Sequence, residues 1–340
     1  MRKLNVISTT RKLALFFLLL ALGCRENYRA TGELGPIQIH IQVVARSERA
    51  AREAIAAAFA EIQQVNNLVS YYLESSEISR LNAAPAGERV HLSQTTLDVL
   101  RRAQEISELA GGSFDITAAP LIKLWKQTIA TGELPDAAAL ESARDAVGYT
   151  KLELGDTWAM KTADGVRVDL GGIAKGFAVD RAIAALKRKG ITGALVAIAG
   201  DGYALGNQAN GRAWRIGIRN PSALEERIGD VLELSDKAYS TSGDYEQYIE
   251  IGGVRYAHII DPRTGQPAHQ AASVTIIADD SATADSLATA VSVLGARDGL
   301  AAIAKVNGAA GLIITRTEEG LNFTKSPAFD RHVAGNRAGR

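Results

Sequence analysis

The chain is almost free of cysteine, and this restricts the chemistry open to it. Cys24 is the only cysteine among 340 residues, and it lies close to the N-terminus. If that thiol is modified, the remaining chain can form no disulfide, no zinc–thiolate site and no cysteine nucleophile. Any catalysis must then rely on oxygen or nitrogen groups, or on a metal ion.

The chain also lacks an excess of charge of either sign. Lys plus Arg and Asp plus Glu both number 38, so the formal net charge is zero. Nucleic acid is therefore not expected as the main partner, because phosphate backbones are normally bound by a basic surface. There is no linker rich in proline, glycine or serine and no repeat of solenoid length. We expect one globular catalytic unit.

The N-terminal apolar run is too short to span a bilayer. It covers residues 13–22, about ten residues, whereas a spanning helix needs about 20. Basic residues precede it, and it ends in a Leu-Gly-Cys sequence that resembles a bacterial lipobox. We predict a lipoprotein signal peptide over residues 1–24, lipidation of Cys24, and an exported protein anchored on the periplasmic side, with the inner membrane favoured. A secreted protein with an incidental cysteine is the alternative.

Hydrophobic periodicity predicts helices and strands that do not alternate strictly. Residues 37–43 alternate as in a half-buried strand, and a helical spacing begins at about Glu48. Ser93 is a predicted N-cap, and Pro135-Asp136 opens another helix. Further strands are predicted at residues 166–169, 194–198, 214–218, 231–234, 248–251, 254–258, 273–278 and 312–315, with a helix over 283–294. This order favours an α+β fold over a doubly wound parallel sheet.

The domain boundaries follow from the same pattern. Residues 25–34 are predicted to be a short polar tether, and residues 35–330 the catalytic domain. Residues 331–340 are predicted to be a disordered tail.

Residues 168–176 have the pattern of a strand, a glycine turn and a helix start. Asp169 ends the predicted strand, Gly171 and Gly172 form the turn, and Lys175 lies in the first helical turn. Exposed amides at a helix start, together with a lysine, favour phosphate binding. A tight turn without a ligand is the alternative, and the spacing is not that of a Walker loop.

Asp285 and Thr289 are separated by four residues in a predicted helix. Their side chains therefore lie on one face, where a carboxylate and a hydroxyl suit a hard cation such as Mg²⁺. A capping aspartate and a solvated threonine would explain the spacing equally well.

Three polar turns complete the candidate site. His258 closes a predicted strand and Asp261 begins the following Asp-Pro-Arg-Thr-Gly turn, so this pair can act as a general base or can simply shape the turn. Ser242, Gly243 and Asp244 offer groups for phosphate or ribose, or form an ordinary loop. Residues 111–117 can place Phe114 beside a flat ring, although core packing is the commoner fate of phenylalanine.

In their order along the chain, these stretches resemble the ApbE family of FAD:protein FMN transferases. The resemblance covers nearly the whole chain after the signal. It is carried by Tyr72 with residues 76–82, by residues 112–115, 168–176, 241–245 and 258–265, and by Ala284-Asp285 with Thr289. It implies one unit of mixed sheets and helices, T-fold-like, with FAD in a central cleft.

The resemblance also implies a reaction and roles for residues. FMN would be transferred from FAD to a Thr or Ser hydroxyl of an acceptor protein, with release of AMP and a requirement for Mg²⁺. Asp285, Thr289 and the carbonyl of Gly172 would bind the metal, and Ala288 stands where some members have another acid. His258 and Asp261 would be catalytic. The FAD site would be lined by Tyr72, Ser113, Phe114, Asp115, Asp169, Lys175 and Ile260.

Two departures from the family pattern and two alternative functions stay open. Ala199-Gly200-Asp201 replaces a frequent Gly-Gly-Asp, and Leu34-Gly35-Pro36 replaces a more usual Met-Gly-Thr. The alternatives are an FAD pyrophosphatase that uses water as the acceptor, and a non-enzymatic FAD-binding lipoprotein. The family suggests membrane respiratory complexes with covalent FMN as acceptors, but the sequence does not name the acceptor, the oligomeric state or the physiological metal.

Overall fold

A nine-stranded antiparallel sheet organises the chain. The structure, a computed structural model, describes residues 6–8, 25–245, 248–251 and 254–335. Its strands are β1 (Val6–Ser8), β2 (Glu26–Leu34), β3 (Ile37–Ala45), β4 (Val90–His91), β5 (Leu152–Leu154), β6 (Trp158–Lys161), β7 (Ala194–Ile198), β8 (Asp201–Leu205), β9 (Trp214–Asn220), β10 (Ala223–Leu234), β11 (Lys237–Gly243), β12 (Tyr248–Ile251), β13 (Val254–Ala257), β14 (Ser273–Ala278), β15 (Ala310–Thr317) and β16 (Gly320–Lys325). The large sheet has the order β1-β2-β3-β7-β8-β11-β14-β15-β16, and smaller sheets are β4-β6-β5, β9-β10 and β12-β13.

Seven α-helices belong to the described residues. They are α1 (Glu48–Val69), α2 (Glu77–Ala83), α3 (Gln94–Leu109), α4 (Ala119–Thr131), α5 (Ala137–Asp145), α6 (Ala174–Arg188) and α7 (Ser281–Ala304). The predicted Ser93 cap is confirmed, because its hydroxyl accepts a hydrogen bond from the amide of Thr96, and Asp136 caps α5 in the same way. The α+β assignment is confirmed.

The large sheet is covered on both faces. Helices α1, α6 and α7 pack on one face, and the β9-β10 ribbon covers the other. Strand β14 is therefore buried at all six positions: Ile276 contributes to the helix side and its neighbour Ile277 to the ribbon side. Double coverage explains why this strand reads as a continuous apolar run instead of an alternating one.

Helix α7 is the core helix of the fold. Among the described residues it is the one helix long and apolar enough to cross a membrane by length and composition, but more than half of that stretch is buried inside the protein. Gly295, at φ 73°, interrupts the helical geometry and kinks the helix. Asp280 caps its start through the amide of Thr283.

Three predictions about the chain's organisation need correction. Residues 25–34 are not a tether: they form β2, which pairs with β3 over its whole length. Residues 166–169 form no regular strand, and only an isolated bridge joins Arg167 to Ala118. The first residues of the predicted tail are ordered, because Phe329–His332 forms a 3₁₀ turn and Val333 bridges to Leu232.

The predicted lipidation site lies outside the described residues. Residues 1–5 and 9–24, which include Cys24, belong to that part of the chain. Strand β1 falls within the predicted signal peptide and pairs only with β2 at the edge of the sheet. Cleavage of a signal peptide would therefore remove one edge strand and leave the other eight in place.

The turn between β7 and β8 carries a strained alanine. Ala199 has φ 52°, a conformation that favours glycine, and it is one of the two non-glycine residues with positive φ among those described. We expect Ala199→Gly to raise the free energy of unfolding by about 1 kcal/mol, because relief of the strain outweighs the added freedom of the unfolded chain. Urea unfolding of both proteins measures this, and an unchanged or lower stability of the variant would contradict it.

Candidate active site

The segment from Asp169 to Lys175 forms a turn that leads into α6. The Asp169 carboxylate accepts a hydrogen bond from the Gly171 amide at 2.8 Å, which closes the turn. Ile173 is the N-cap residue of α6 and provides no side-chain cap. The amides of Ile173 and Ala174 donate to the Leu170 carbonyl, so what the start of α6 offers is the partial positive charge of a helix N-terminus. The Lys175 ammonium folds back and donates to the Gly171 carbonyl at 3.2 Å.

The carboxylate of Asp285 is buried against the start of α6. It is only 2% exposed, and its Oδ2 accepts a hydrogen bond from the Gly176 amide at 3.0 Å. Lys175 Nζ lies 3.4 Å and 3.5 Å from its two oxygens. Burial, with a contribution from the charge of Asp201, raises the pKa of Asp285 to about 7, while Lys175 and the Gly176 amide oppose the rise. Asp285 does not cap its own helix, since Asp280 is the N-cap of α7, but its carboxylate accepts from an amide in the first turn of α6.

A glycine permits this close packing of the two helices. A Cβ atom on Gly176 would lie 2.1 Å from the Ser281 carbonyl oxygen, closer than any side chain tolerates. Any substitution at this position would push α6 away from α7 and separate the Gly176 amide from Asp285.

Thr289 and Gly172 lie beside Asp285. These three residues carry oxygen groups of the kind that bind metal ions, and together they are called the Asp285 donors. A Cβ on Gly172 would lie 3.3 Å from Thr289 Oγ1 and 3.0 Å from Phe114 Cε2, so these three residues adjoin one another. Thr289 is half-buried and donates to the Asp285 carbonyl at 3.2 Å. Its side chain is therefore partly solvated and lies next to Gly172.

These donors fit a magnesium ion better than a transition metal. Among the described residues no group of three His, Cys, Asp or Glu side chains comes together. A carboxylate, a hydroxyl and a backbone carbonyl are the few hard ligands that Mg²⁺ takes when substrate phosphate supplies the rest. Ala288 is fully buried and provides no side-chain donor, and its carbonyl accepts from Ser292.

A cleft of about 610 Å³ opens on the other side of the 112–115 segment. It is lined by Gly112, Asp115, Arg144, Asp145, Val147, Gly148, Tyr149, Thr150, Lys151, Pro262 and Arg263. Phe114 is buried beside Gly172, so the segment joins the cleft to the Asp285 donors. Ser113 is also buried and donates to the Ala110 carbonyl.

Asp115 holds the wall of this cleft in place. One oxygen accepts from the amide and hydroxyl of Thr117, and the other accepts from the Tyr149 amide at 2.7 Å. Burial raises the pKa of Asp115, although these hydrogen bonds oppose the rise. The residue therefore fixes the loop at Tyr149 through buried hydrogen bonds.

The turn after His258 also reaches the cleft. Asp261 holds Arg263 in a fork, with Nε and Nη2 each 2.9 Å from a carboxylate oxygen. This pairing makes Asp261 an anchor for Arg263 and the turn. His258 is half-buried and directly follows β13, and Ile260 packs in a small core with Leu121 and Trp125.

The remaining predicted residues make contacts of their own. Asp244 forms an ion pair with Arg316, and the ring of Tyr245 occupies the space where a side chain on Gly243 would lie. Ser242 is paired with Val274 inside the sheet. Tyr72 is 75% exposed, and its hydroxyl accepts from Lys126 Nζ at 2.7 Å.

Sequence reasoning overlooked two buried polar residues near the site. Asn82 clamps the backbone of Val168, donating to its carbonyl at 2.8 Å and accepting from its amide at 2.7 Å. Asp201 lies 3.1 Å from Lys175 Nζ. Asn82 ends the Ser-Glu-Ile-Ser-Arg-Leu-Asn stretch, and Asp201 ends the Ala-Gly-Asp turn. Their positions in these two motifs could have identified them as site residues from the sequence.

A further carboxylate, that of the half-buried Asp180, ties α6 to the start of α7. Its two oxygens accept from the amides of Ser281 and Ala282 at 2.8 Å and 2.9 Å. Burial, the largest cause, raises the pKa of Asp180 from the ordinary 3.8 to about 7. The surrounding cleft is also lined by the charged or titratable residues Asp98, Arg102, Lys187, Tyr203, Asp279 and Asp280.

Asp180 makes the stability depend on pH. Because the folded pKa lies above the unfolded one, the stabilisation is complete below about pH 4 and is lost as the pH rises to about 7. Asp180→Asn removes one hydrogen bond at the start of α7, which lowers the free energy of unfolding equally at every pH. Beyond that constant loss, we expect the fall in the free energy of unfolding between pH 5 and 7.5 to be smaller in the variant by roughly 1–3 kcal/mol, because asparagine does not titrate. Urea unfolding at both pH values measures it, and parallel declines in the two proteins would contradict the assignment.

The fold and the donor set define a class of protein. An α+β domain in which a helix start, a lysine and a buried carboxylate converge is typical of proteins that handle phosphorylated substrates. The chain belongs to the ApbE family, whose model matches residues 36–313. Recognition of the family from sequence motifs is thereby confirmed.

Relatives and solved structures agree with this assignment. The chain is 35% identical over 271 residues to the FAD:protein FMN transferase of Vibrio cholerae, which covers 79% of this chain and 81% of the relative. The crystal structure of the Pseudomonas stutzeri flavinyl transferase ApbE in its apo form matches with a TM-score of 0.83 and 31% identity, over 94% of this chain and 100% of that one. A structure of the ApbE protein of Thermotoga maritima matches with a TM-score of 0.81, at 32% identity over 90% and 99% of the two chains. The protein is a transferase of this family.

Proposed function

We propose that this protein transfers FMN from FAD to a threonine or serine hydroxyl of an acceptor protein and releases AMP. One observation carries the proposal: Gly172, Lys175, Asp285 and Thr289 come from two distant stretches of the chain and converge on a single point. Relatives that match most of the chain carry the name FAD:protein FMN transferase, which supports FAD as the substrate of this site.

The start of α6 would bind the pyrophosphate of FAD. The partial positive charge of this helix start and the Lys175 ammonium would offset the negative charge of the phosphates and the charge that develops on AMP as it leaves. The acceptor hydroxyl attacks the phosphorus on the FMN side, and the bond to the AMP phosphate breaks. His258 would take the proton of that hydroxyl.

Asp285, Thr289 and the carbonyl of Gly172 would hold Mg²⁺. When bound, the ion supplies Lewis-acid stabilisation of the charge on the phosphoryl oxygens. Asp285 is already held by the Gly176 amide, so its carboxylate needs little reorganisation to serve as a ligand.

The flavin and adenine would lie along the cleft lined by residues 112–115 and the turn at Arg263. The cleft of about 610 Å³ falls in the usual range for a small-molecule site. Tyr72 offers an exposed aromatic face, on which a flat ring can stack, beside the Lys126 ammonium.

A reconstituted reaction tests the proposal. Purified protein is incubated with FAD and a candidate acceptor, with and without Mg²⁺, and AMP and acceptor-bound FMN are measured. AMP and labelled acceptor in equal amounts, only with Mg²⁺, are expected. AMP without labelling in the presence of a competent acceptor would establish the pyrophosphatase instead, and bound FAD that is never cleaved would establish a carrier.

We also propose that the protein is exported and anchored through a lipid on Cys24. The apolar run and the Leu-Gly-Cys sequence support this placement, which would bring the enzyme to membrane respiratory complexes as acceptors. Metabolic labelling with palmitate compares the wild type with Cys24→Ser. Label in both proteins, or in neither, would overturn the anchor.

A further inference from the structure

Asp201 is a buried carboxylate beside the proposed pyrophosphate site, and none of the roles above accounts for it. It is the first residue of β8 and is 2% exposed. Its Oδ1 accepts a hydrogen bond from the Ser240 hydroxyl at 2.5 Å. Its Oδ2 is buried without a hydrogen-bond partner, although Lys175 Nζ lies 3.1 Å away as an ion pair. Burial of a carboxylate oxygen without a hydrogen bond costs free energy, so this arrangement requires an explanation.

Lys175 is shared between two carboxylates, and it lies closer to Asp201. Its Nζ is 3.1 Å from Asp201 Oδ2 and 3.4 Å from the nearer oxygen of Asp285. Asp285 already accepts from the Gly176 amide, whereas Asp201 Oδ2 depends on Lys175 for compensation of its charge. The ammonium is therefore drawn towards Asp201.

This placement affects how a cation reaches Asp285. An ammonium paired fully with Asp285 would compete with a divalent ion for the same oxygens, since both are attracted by one buried charge. With Asp201 present, the lysine can stay in the site, near the phosphates, while Asp285 remains open to the cation.

We propose that Asp201 is a positioning residue that holds Lys175 away from Asp285, so that the cation and the lysine can occupy the site together. The inference deepens the proposed function and rests on it for the identity of the cation and the substrate. Asp201 acts through Lys175, without contact to the reacting atoms.

Binding of Mg²⁺ to the purified protein without FAD tests this, by calorimetry or by competition with Mn²⁺. We expect Asp201→Asn to weaken Mg²⁺ binding about tenfold, because Lys175 then pairs with Asp285. The double variant Asp201→Asn, Lys175→Met should recover affinity to within about threefold of Lys175→Met alone, since the competitor is gone. In AMP release, Asp201→Asn should require more Mg²⁺ for saturation but keep its maximal rate within about threefold.

Asp180→Asn is the matched control, because it removes a half-buried carboxylate from α6, the helix that carries Lys175. The carboxylate of Asp180 binds the amides of Ser281 and Ala282, so its loss should leave Mg²⁺ affinity unchanged. If Asp201→Asn does not fold, Ser240→Ala replaces it: loss of that donor makes the Asp201 charge more dependent on Lys175, so Mg²⁺ binding should not weaken, and a tenfold loss would overturn the proposal. Unchanged affinity in the Asp201 variant overturns the proposal, and so does a tenfold loss that persists without Lys175. Absence of AMP release by the wild type would count against the proposed function, while the binding comparison would still decide the role of Asp201.

Discussion

Replacing Asp285 with alanine is expected to abolish Mg²⁺-dependent release of AMP from FAD. Asp285 shares a helix face with Thr289, and Thr289 in turn lies beside Gly172. Loss of the carboxylate would therefore remove the one charged group among the three proposed metal ligands. We expect a fall in rate of at least about 1,000-fold, since an ion that stabilises phosphoryl charge contributes several kcal/mol to the transition state. AMP release measured over a range of Mg²⁺ concentrations checks this.

The variant should still fold and bind FAD. Asp285 is buried at a cost in desolvation, so its removal offsets part of the loss of the bond from Gly176. Asp298→Ala is the matched control, because Asp298 lies on the same helix but is exposed and paired with its neighbour Arg297. Mg²⁺-dependent AMP release at the wild-type rate by the Asp285 variant would remove this residue from the metal site.

Replacing His258 with alanine is expected to stop transfer while FAD binding continues. A positioned base contributes about 100- to 10,000-fold to the attack of a hydroxyl, and we expect a loss in that range. The rate of FMN attachment to the acceptor, measured at saturating FAD, gives the effect on chemistry. The dissociation constant for FAD, measured by fluorescence, shows that binding is retained.

His269→Ala provides the control for this second substitution. His269 is an exposed histidine eleven residues further along, beside Gln270, so the change removes an imidazole of the same kind outside the site. Transfer by the His269 variant should match the wild type. If the His258 variant also transfers FMN at the wild-type rate, the base is another group and His258 only shapes the turn.

The sequence predicted local features well where one helix or strand contains all the information. The cap at Ser93 and the strand at residues 37–43 follow from hydrogen-bonding capacity and alternation, and both occur in the structure. The spacing of Asp285 and Thr289 places them on one face of α7, as helix geometry requires.

Predictions were wrong where polarity was taken as a sign of exposure. Residues 25–34 contain many polar groups, yet they form β2, because the backbone pairs with β3 over its whole length while the polar side chains keep largely exposed positions. The error at residues 166–169 has a different cause. They were predicted to form a strand, but the Asn82 side chain makes the backbone hydrogen bonds of Val168, so no ladder of strand-to-strand hydrogen bonds forms there. A side-chain clamp of this kind leaves no periodic pattern in the sequence.

The sequence by itself determined the chemical resources of this protein: no thiol beyond Cys24, balanced charge, a glycine turn before a helix, and a carboxylate and hydroxyl at helical spacing. Only the tertiary structure decided which of these resources meet. Lys175, Asp201 and Asp285 come from α6, β8 and α7, and their attraction acts over a few ångströms of space regardless of the 110 positions that separate the outer two along the chain. Burial then raises the pKa of Asp285, because the cost of removing a carboxylate from water depends on the packed surroundings and is not written in the residue itself.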